Sequence, residues 1–503
     1  MLLSPADLDP TQPLTADVCI VGAGAAGISI ARSLANTSLR VLLLEGGGEQ
    51  PSERSQELYR GEMATVYRKG KWGKEDRNYL VRSRLRYFGG TTNHWNGWCR
   101  PLEPVEFSDR AWVPHGGWPI SRDDLAPWYR KATDVVQIPP FDPEEGYGRP
   151  RGRRMVCLAD SPDIITRLFH WSPPTRFGSQ YRQELVDAPN VRVLLEANVL
   201  RAHATPERQH VTHLDVQLED GPRLTVRAPR FVFACGGIEN ARLMLLSELG
   251  SDAVGRYFMD HPHLRYAGQV VVGDELGVKG LTDLYFAARR EGGQPTRTVG
   301  VFGTSAAFQA THRTLGFSAQ LRSRRKEELN AVGEAVVAAQ AVVRDLGRPK
   351  SQTWTPYSGL VMARGEQAPN PDSRVTLDSE TDRLGLRRAR LDWQVTEADA
   401  LSIRTSMEAL AHELGRVGIG RLRIRLKRDG LPELRGGDHH IGTTRMSAGP
   451  TNGVVDANCR VHGIDNLWIA GSSVFSTSGF ANPTLTITAL ALRLADHLRR
   501  EAP

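Results

Sequence analysis

The chain has 503 residues, of which 40% are hydrophobic, and its 64 Lys and Arg against 57 Asp and Glu give a net charge of +7. A chain of this length and composition can bury large cores and is expected to fold as two or three domains. The basic residues are scattered and accompany no helix-turn-helix, zinc-finger or stacking-aromatic pattern, which argues against a nucleic-acid partner. No apolar run has the length of a membrane span, and residues 1–24 lack the pattern of an export signal, so we expect a cytoplasmic protein without a membrane partner.

The cysteines indicate the redox state of the protein. They are odd in number and far apart, and no two of them form the Cys-x-x-Cys pair found in zinc sites and redox dithiols. We therefore expect reduced, mostly buried thiols at five positions: Cys19, Cys99, Cys157, Cys235 and Cys459.

The first predicted unit is a strand–helix–strand segment over residues 18–45. A buried strand at Val18–Val21 is followed by Gly22, Gly24 and Gly27 in a G-x-G-x-x-G pattern, then by a helix with an apolar face and a second strand that ends before Glu45. The glycines permit a tight turn and close backbone approach to a pyrophosphate, and Glu45 can accept hydrogen bonds from ribose hydroxyls. This pattern predicts a dinucleotide site that could hold NAD or FAD, the alternative being a glycine-rich turn followed by an unrelated acid.

Three later segments extend this unit. The segment LRYFGGTTNHWNGW at 85–98 combines a Gly-Gly turn with small polar residues and aromatics, a composition suited to close approach by a flat ring system. The nucleotide-binding sheet is predicted to resume at 190–247 with further strands and a strand–turn–helix. A last strand at 467–470 leads through Gly471 and Ser472 to a long helix, for which Asn482 is the predicted N-cap and Pro483 the first residue.

Residues 262–437 have a different character. Strand-like stretches at 299–308, 315–321, 373–378 and 421–428 are interrupted by helical patterns at 327–343 and 397–415, which predicts an α+β substrate domain on an antiparallel sheet. The nucleotide-binding domain is then discontinuous. Its three predicted parts are residues 1–137, 190–261 and 438–503, the last of which contains the catalytic residues. An insertion is predicted at 138–189 and the substrate domain at 262–437.

These segments together resemble the glucose-methanol-choline (GMC) flavoprotein oxidoreductases. The resemblance is carried by the glycine pattern with Glu45, by GGTTNHW and CGGIENARLMLLS, and by the segment from HHIGTTRMS at 439–447 to the C-terminal helix. It implies an α/β Rossmann-type domain that binds FAD, an α+β substrate-binding domain over the flavin, and oxidation of an alcohol to a carbonyl. Within the family the chain looks most like pyranose oxidases and bacterial glycoside 3-oxidases. The cofactor contacts that follow from it, beyond those of the first unit, are Gly89, Gly90, Thr91, Asn93, His94, Trp95, Val199, Gly471, Ser472, Pro483 and Thr484.

The resemblance also distinguishes two adjacent histidines. Neighbouring residues on a strand or a helix point in different directions, so one of His439 and His440 is expected to reach a reacting atom. The residues alone leave the choice open. In the family, the catalytic histidine stands three residues before the glycine of a Gly-Thr turn, which is His439, and the second catalytic position is Asn482. His440 is then a packing or hydrogen-bonding residue.

The implied chemistry is hydride transfer from a carbinol carbon to flavin N5. The hydroxyl proton must leave as the hydride does, so a base must reach the hydroxyl while a donor holds the developing alkoxide. His439 would be the base and Asn482 the donor, and the helix N-terminus at Pro483 and Thr484 would direct positive potential at the flavin pyrimidine. O₂ or another acceptor would reoxidise the flavin.

Substrate and flavin attachment are less constrained by the sequence. The family branch predicts a secondary ring hydroxyl of a pyranose or glycoside, with a non-sugar alcohol, lyase chemistry or a flavin-binding protein without turnover as alternatives. Fungal pyranose oxidases link FAD through the His of a Ser-Thr-His-Trp segment, which His94 and Trp95 match only in part, so we expect non-covalent FAD. The Asp-His-Pro-His segment at 260–263 offers no third ligand and predicts a hinge or pocket rim and no metal site.

Overall fold

The computed structural model describes residues 1–4, 8–64, 78–141, 161–272, 285–289, 295–323, 357–418, 420–426 and 435–501. The predicted helix at 327–343 and the predicted thiol of Cys157 lie outside these residues. The strands are β1 (Leu14–Thr15), β2 (Val18–Val21), β3 (Val41–Leu44), β4 (Gly61–Met63), β5 (Trp98–Cys99), β6 (Ile164–Trp171), β7 (Val191–Leu194), β8 (Ala197–Ala204), β9 (Val211–Leu218), β10 (Arg223–Arg227), β11 (Phe231–Phe233), β12 (His263–Val272), β13 (Tyr285–Arg289), β14 (Pro295–Thr304), β15 (Phe317–Ser323), β16 (Tyr357–Gly365), β17 (Arg374–Thr381), β18 (Arg387–Asp392), β19 (Gly420–Ile424) and β20 (Leu467–Ile469). The α-helices are α1 (Ala25–Leu34), α2 (Glu53–Gln56), α3 (Tyr79–Arg82), α4 (Pro104–Phe107), α5 (Arg122–Val135), α6 (Phe177–Asp187), α7 (Gly236–Leu246), α8 (Ala306–His312), α9 (Glu397–Arg416) and α10 (Thr484–Arg500), and short 3₁₀ turns cover Glu57–Tyr59, Gly90–Asn93 and Ser472–Val474.

A parallel sheet with strand order β20-β11-β2-β3-β7 forms the centre of the nucleotide-binding domain. Nearly every side chain of these strands is buried, as expected where helices cover both faces of a parallel sheet. Helix α10 packs on α1 and α5, and its predicted apolar side is buried at Leu485, Ala489, Leu492 and Leu498. The predicted strand–helix–strand unit and the return of the chain to this sheet at β7, β11 and β20 are confirmed.

A second sheet, with order β1-β10-β9-β8, lies within the same stretch of chain. Its strands β8, β9 and β10 pair antiparallel. In the chain they lie between β7 and β11, two strands of the parallel sheet that are not neighbours in it. The N-terminal end of β8 contributes Ala197, Asn198 and Val199 to the cavity described below. The start of β8 therefore lies at the cavity.

The substrate domain contains the predicted antiparallel sheet, in the order β19-β12-β16-β15-β14-β6-β5 with β13 beside β14. Helix α9 packs on it and begins with a capping box formed by Thr396 and Asp399. Strands β5 and β6 come from residues before 262, so the sheet recruits chain from both the first predicted part and the predicted insertion. The domain boundaries themselves stay predictions.

Some predicted elements differ in detail from the structure. The strand-like stretch at 299–308 ends as a strand at Thr304, and Ser305 then caps α8 by accepting a hydrogen bond from the Phe308 N–H.

Within the described ranges, no α-helix is both apolar and long enough to cross a bilayer. The described cysteines Cys19, Cys99, Cys235 and Cys459 are free thiols.

Candidate active site

A cavity of about 410 Å³ lies at the end of the parallel sheet where the glycine pattern, the 85–98 segment and the C-terminal segment meet. Its wall contains most of the residues predicted to bind cofactor or to catalyse. These are Gly22, Gly24, Glu45, Gly90, Thr91, His94, Trp95, Val199, His439, Gly471, Ser472, Asn482, Pro483 and Thr484. Gly27, Gly89 and Asn93 are not part of this wall.

The glycine pattern has one open position and two closed ones. A Cβ atom at Gly22 would lie 2.7 Å from the Ala234 carbonyl oxygen, and one at Gly27 would lie 1.9 Å from the Gly22 carbonyl oxygen. A Cβ atom at Gly24 would meet nothing within 4 Å. Gly24 is also the N-cap of α1 and makes no side-chain cap, so the first N–H groups of the helix remain for a ligand. The cradle fits the pyrophosphate of FAD, with Gly27 serving helix–strand packing.

Glu45 has a structural role that the sequence pattern did not reveal. Its carboxylate oxygens accept hydrogen bonds from the Ala23 and Gly47 N–H groups, each at 2.9 Å. The side chain is buried at the end of β3 and still borders the cavity. The carboxylate therefore holds the glycine loop in place, and its contact with ribose stays a prediction.

The segment at 89–95 forms a tight turn against the glycine loop. Gly89 and Gly90 have φ values of +97° and +52°, a left-handed region that favours glycine. The Gly89 N–H donates to the Ala23 carbonyl, and the Asn93 side-chain NH₂ donates to the Phe88 carbonyl, both at 2.9 Å. Gly89 and Asn93 thus shape the turn that presents Gly90 and His94 to the cavity.

His439 and Asn482 are brought together from segments 43 residues apart. The Asn482 Nδ2 lies 3.2 Å from the His439 Nε2, and the Asn482 Oδ1 accepts from the Arg364 guanidinium at 3.4 Å. The prediction that Asn482 is the N-cap of the last helix is wrong. Helix α10 begins at Thr484 with Pro483 at the N-cap and no side-chain cap, because the Asn482 amide is engaged by His439 and Arg364 instead.

A third histidine, His261, determines which nitrogen of His439 carries the proton. Burial lowers the pKa of His261 to about 4 and that of His439 well below 6.5, so both rings are neutral at pH 7. The His261 Nε2 lies 3.2 Å from the Ser478 carbonyl, which can only accept, so this nitrogen carries the hydrogen. The His261 Nδ1 then accepts from the His439 Nδ1, 2.7 Å away. His439 is left with a lone pair on Nε2, the nitrogen beside Asn482.

The loop that carries His439 is held by a buried carboxylate, Asp260, to which sequence reasoning assigned no such role. Asp260 is 0% exposed, and burial, followed by the charge of Asp438, raises its pKa to about 7. Its oxygens accept hydrogen bonds of 2.7–3.1 Å from the Tyr79 hydroxyl and from the N–H groups of His261, Gly437, Asp438 and His439. The Asp-His-Pro-His segment, predicted to be a hinge or pocket rim, therefore supports the catalytic loop directly.

The His440 side chain borders the same cavity as His439 but packs against other rings. Its ring is buried beside Tyr79 and Phe258, with ring centroids 5.7 and 5.9 Å away. Burial lowers its pKa to about 3, so the ring is a neutral packing group at pH 7. This agrees with the role expected for the second histidine of the pair.

The loop at 478–482 rests on a second buried charge cluster. The Phe480 N–H donates to Glu106 at 3.0 Å, and the neighbouring Glu366 accepts from Arg110 and from the Gly316 N–H. Burial and the charge of Glu366 raise the pKa of Glu106 to about 8. The carboxyl groups of this cluster fix the backbone that precedes Asn482.

Comparison with known proteins matches this architecture. A family model described as FAD dependent oxidoreductase matches residues 17–365, and one described as GMC oxidoreductase matches residues 369–491. The fructose dehydrogenase large subunit of Gluconobacter japonicus is 24% identical over 96% of this chain and 98% of its own length. The C-glycoside 3-oxidase of Microbacterium trichothecenolyticum is 24% identical over 56% of this chain and 48% of its own length.

A solved structure has the same fold. Pyridoxine 4-oxidase from Mesorbium loti superposes with a TM-score of 0.58 at 18% identity, covering 97% of this chain and all of that one. The resemblance stated from sequence is confirmed, and so is the fold class of a Rossmann-type domain with an antiparallel substrate domain. The glycine cradle, the two-domain fold and the two family models agree: the chain belongs to the FAD-dependent oxidoreductases, and its residues 369–491 match the GMC type.

Proposed function

We propose that the enzyme oxidises a secondary ring hydroxyl of a pyranose sugar or glycoside to a ketone, with His439 as general base. The observation that carries the proposal is the His439–Asn482 pair in the wall of the FAD cavity, with the lone pair of His439 on Nε2. When bound, FAD would supply the hydride acceptor, and O₂ or another acceptor would take the electrons.

The two side chains have complementary roles toward a substrate hydroxyl. The His439 Nε2 accepts the hydroxyl proton, while its Nδ1–H stays bonded to His261 and keeps the ring oriented. Without substrate, the Asn482 NH₂ donates to the His439 Nε2 lone pair; a bound hydroxyl would take this place on Nε2, and the Asn482 NH₂ would then donate to the substrate oxygen as negative charge develops there. The guanidinium of Arg364 adds positive charge beside Asn482 and favours the same charge development.

Aromatic side chains near this pair support a sugar as substrate. Trp95 and Trp98 both contribute to the cavity wall; Trp95 is half-buried, whereas Trp98 is buried and one face of its ring is covered by the Arg364 guanidinium, 4.3 Å from the ring centre. Aromatic faces pack well against the C–H faces of pyranose rings, and charged and amide groups can bind the ring hydroxyls. The fructose dehydrogenase and C-glycoside 3-oxidase similarities support the same substrate class.

Anaerobic reduction of the flavin tests the substrate class. Purified enzyme is mixed with pyranoses and glycosides and, separately, with choline, methanol and benzyl alcohol. Loss of the flavin absorbance is expected to be faster with at least one sugar or glycoside than with any simple primary alcohol. Reduction by the simple alcohols and by no sugar would contradict the proposed substrate class and leave the FAD-dependent chemistry intact.

We also propose that FAD is held without a covalent bond. The glycine cradle and the uncapped start of α1 provide a binding site for its pyrophosphate. His94 borders the cavity at the end of the tight turn Gly90–Asn93. A linkage would require an unprotonated His94 aimed at the C8 methyl group of the flavin. Acid precipitation is expected to leave the yellow colour in the supernatant. A yellow pellet that becomes colourless in His94→Ala would show a linkage.

A further inference from the structure

A cluster of two histidines and an aspartate lies on the sheet formed by β8 and β9. His203 and His213 are paired in the antiparallel register, and their rings are stacked with centroids 4.4 Å apart and planes 5° apart. Asp215 follows two residues after His213, so its side chain lies on the same face of the sheet. We predicted no metal site from the sequence, because only the register of the two strands brings these residues together.

The carboxylate of Asp215 faces both rings. Its Oδ2 lies 2.9 Å from the His203 Nε2, and its Oδ1 lies 3.9 Å from the His213 Nε2. One such atom from each of the three residues lies within 4.8 Å of the others, the spacing of a potential metal site. The three side chains are 27–37% exposed, so an ion can reach them from solvent.

The neighbouring threonine determines the proton position on His213. The Thr212 hydroxyl donates its single hydrogen to the His203 carbonyl at 3.2 Å. It can therefore only accept from the His213 Nδ1, 3.0 Å away, which places the hydrogen of the neutral ring on Nδ1. The His213 Nε2 thus presents a lone pair to the carboxylate, with no hydrogen between them.

Two facing electron-pair donors attract a cation. We propose that His203, His213 and Asp215 bind a divalent transition metal through both Nε2 atoms and the carboxylate, with water in the remaining positions. Imidazole nitrogen with a carboxylate suits Zn²⁺ and similar ions, and ligands about 2.0–2.2 Å from the metal lie about 3.3–3.6 Å apart in a tetrahedron.

An imidazole binds a metal in the plane of its ring, so the His203 ring must first turn out of its stacked arrangement with His213. The metal replaces the hydrogen between the His203 Nε2 and Asp215, and that hydrogen moves to the His203 Nδ1. The Thr212 hydroxyl keeps its bond to the His213 Nδ1 and orients this ligand, as outer hydrogen bonds do at metal sites. The positive charge of Arg227 lowers the affinity of the site for a cation.

The site is separate from the cofactor cavity. His203 is four residues beyond Val199, which borders the cavity, and an extended strand of that length spans about 13 Å. Metal binding is therefore expected to link β8 to β9 and raise thermal stability without changing the rate of flavin reduction.

Calorimetric titration of the EDTA-treated holoenzyme with ZnCl₂ at pH 7 tests the proposal. We expect binding of one equivalent and a rise in melting temperature at saturating Zn²⁺. His213→Ala and the nearly isosteric Asp215→Asn are each expected to weaken binding at least tenfold. His210→Ala is the matched control, because His210 also pairs with an aspartate, Asp465, at 2.7 Å and has wild-type binding under the proposal.

The possible results separate clearly. Loss of binding in His213→Ala or Asp215→Asn, with the metal-free melting temperature of that variant unchanged, supports the site. The proposal would be overturned if Asp215→Asn and His213→Ala, made separately, both bound zinc as the wild type does. It would also be overturned by an equal loss of binding in His210→Ala, or by no binding to the wild-type enzyme at 100-fold molar excess of zinc. Because Asp215→Asn keeps the shape of the side chain, the test does not depend on how His213→Ala folds.

Discussion

His439→Ala is expected to retain FAD and to slow flavin reduction by about 10² to 10⁴-fold, the usual range for loss of a general base. The cradle for the pyrophosphate is formed by the glycine loop and the start of α1, which do not include His439, so the yellow colour of the purified protein should be unchanged. Without the Nε2 lone pair, the substrate hydroxyl has no acceptor for its proton as the hydride leaves. Anaerobic stopped-flow measurement of flavin absorbance gives the rate directly.

His440→Ala is the matched control for this variant. His440 packs against Tyr79 and Phe258, so its removal should lower the melting temperature. The rate of flavin reduction should fall much less than in His439→Ala. A larger rate defect in His440→Ala than in His439→Ala would reverse the assignment of the base.

Asp260→Asn is expected to lower the rate of flavin reduction by about 10²-fold, as a displacement of about 1 Å at a reacting group can do. Both Asp260 oxygens accept hydrogen bonds, so an asparagine NH₂ in either position would face N–H or O–H groups that also donate. Those hydrogen bonds would be lost. The loop that carries His439 then loses at least one of its fixed contacts. Stopped-flow reduction with saturating substrate measures the effect, and FAD content shows that the fold is intact.

The control for Asp260 is Tyr79→Phe, which removes one donor to the carboxylate and leaves the backbone donors in place. This variant should lose much less activity than Asp260→Asn. Equal losses would show that the Tyr79 hydroxyl contact, and not the hold on the His439 loop, is what matters.

The pH dependence follows from the same carboxyl group. Its pKa, raised to about 7 by burial and by Asp438, means that it gains a proton as the pH falls through neutrality, while His439 stays neutral because its own pKa is well below 6.5. The ionised form is the one that can accept from every donor around it. The wild-type rate should therefore fall below pH 7 toward the rate of Asp260→Asn, and the variant should show no such fall between pH 6 and 8.

Local patterns predicted the nucleotide-binding unit because its residues act on their neighbours in the chain. Gly27 is required by the Gly22 carbonyl only five residues before it, and a parallel strand buried on both faces is apolar throughout. The segment after β20 was predicted as well, since the family resemblance is strongest there. Its detail was wrong at Asn482, because a cap preference is a local tendency of about 1 kcal/mol and contacts with His439 and Arg364 override it.

The support of the catalytic loop was beyond such patterns. Asp260 contacts residues 177 to 181 positions away in sequence, and nothing in its immediate neighbours indicates that Tyr79 and residues 437–439 surround it. The tautomer of His439 likewise depends on His261, which is 178 residues away. The sequence showed an Asp-His-Pro-His segment with no third metal ligand, and only the fold reveals that it holds the base.

The order of strands in the parallel sheet has a consequence for how the chain acquires activity during synthesis. The first strand of the nucleotide-binding unit, β2, lies beside β11, and β11 lies beside β20 at residues 467–469. Contacts so distant in sequence form late, because closing long loops costs entropy before the contacts repay it. A nascent chain can expose its glycine cradle while β20, Asn482 and α10 are still to be translated. We therefore expect ribosome-released fragments that end before residue 467 to need chaperones, and catalytic competence to be the last property that the growing polypeptide gains.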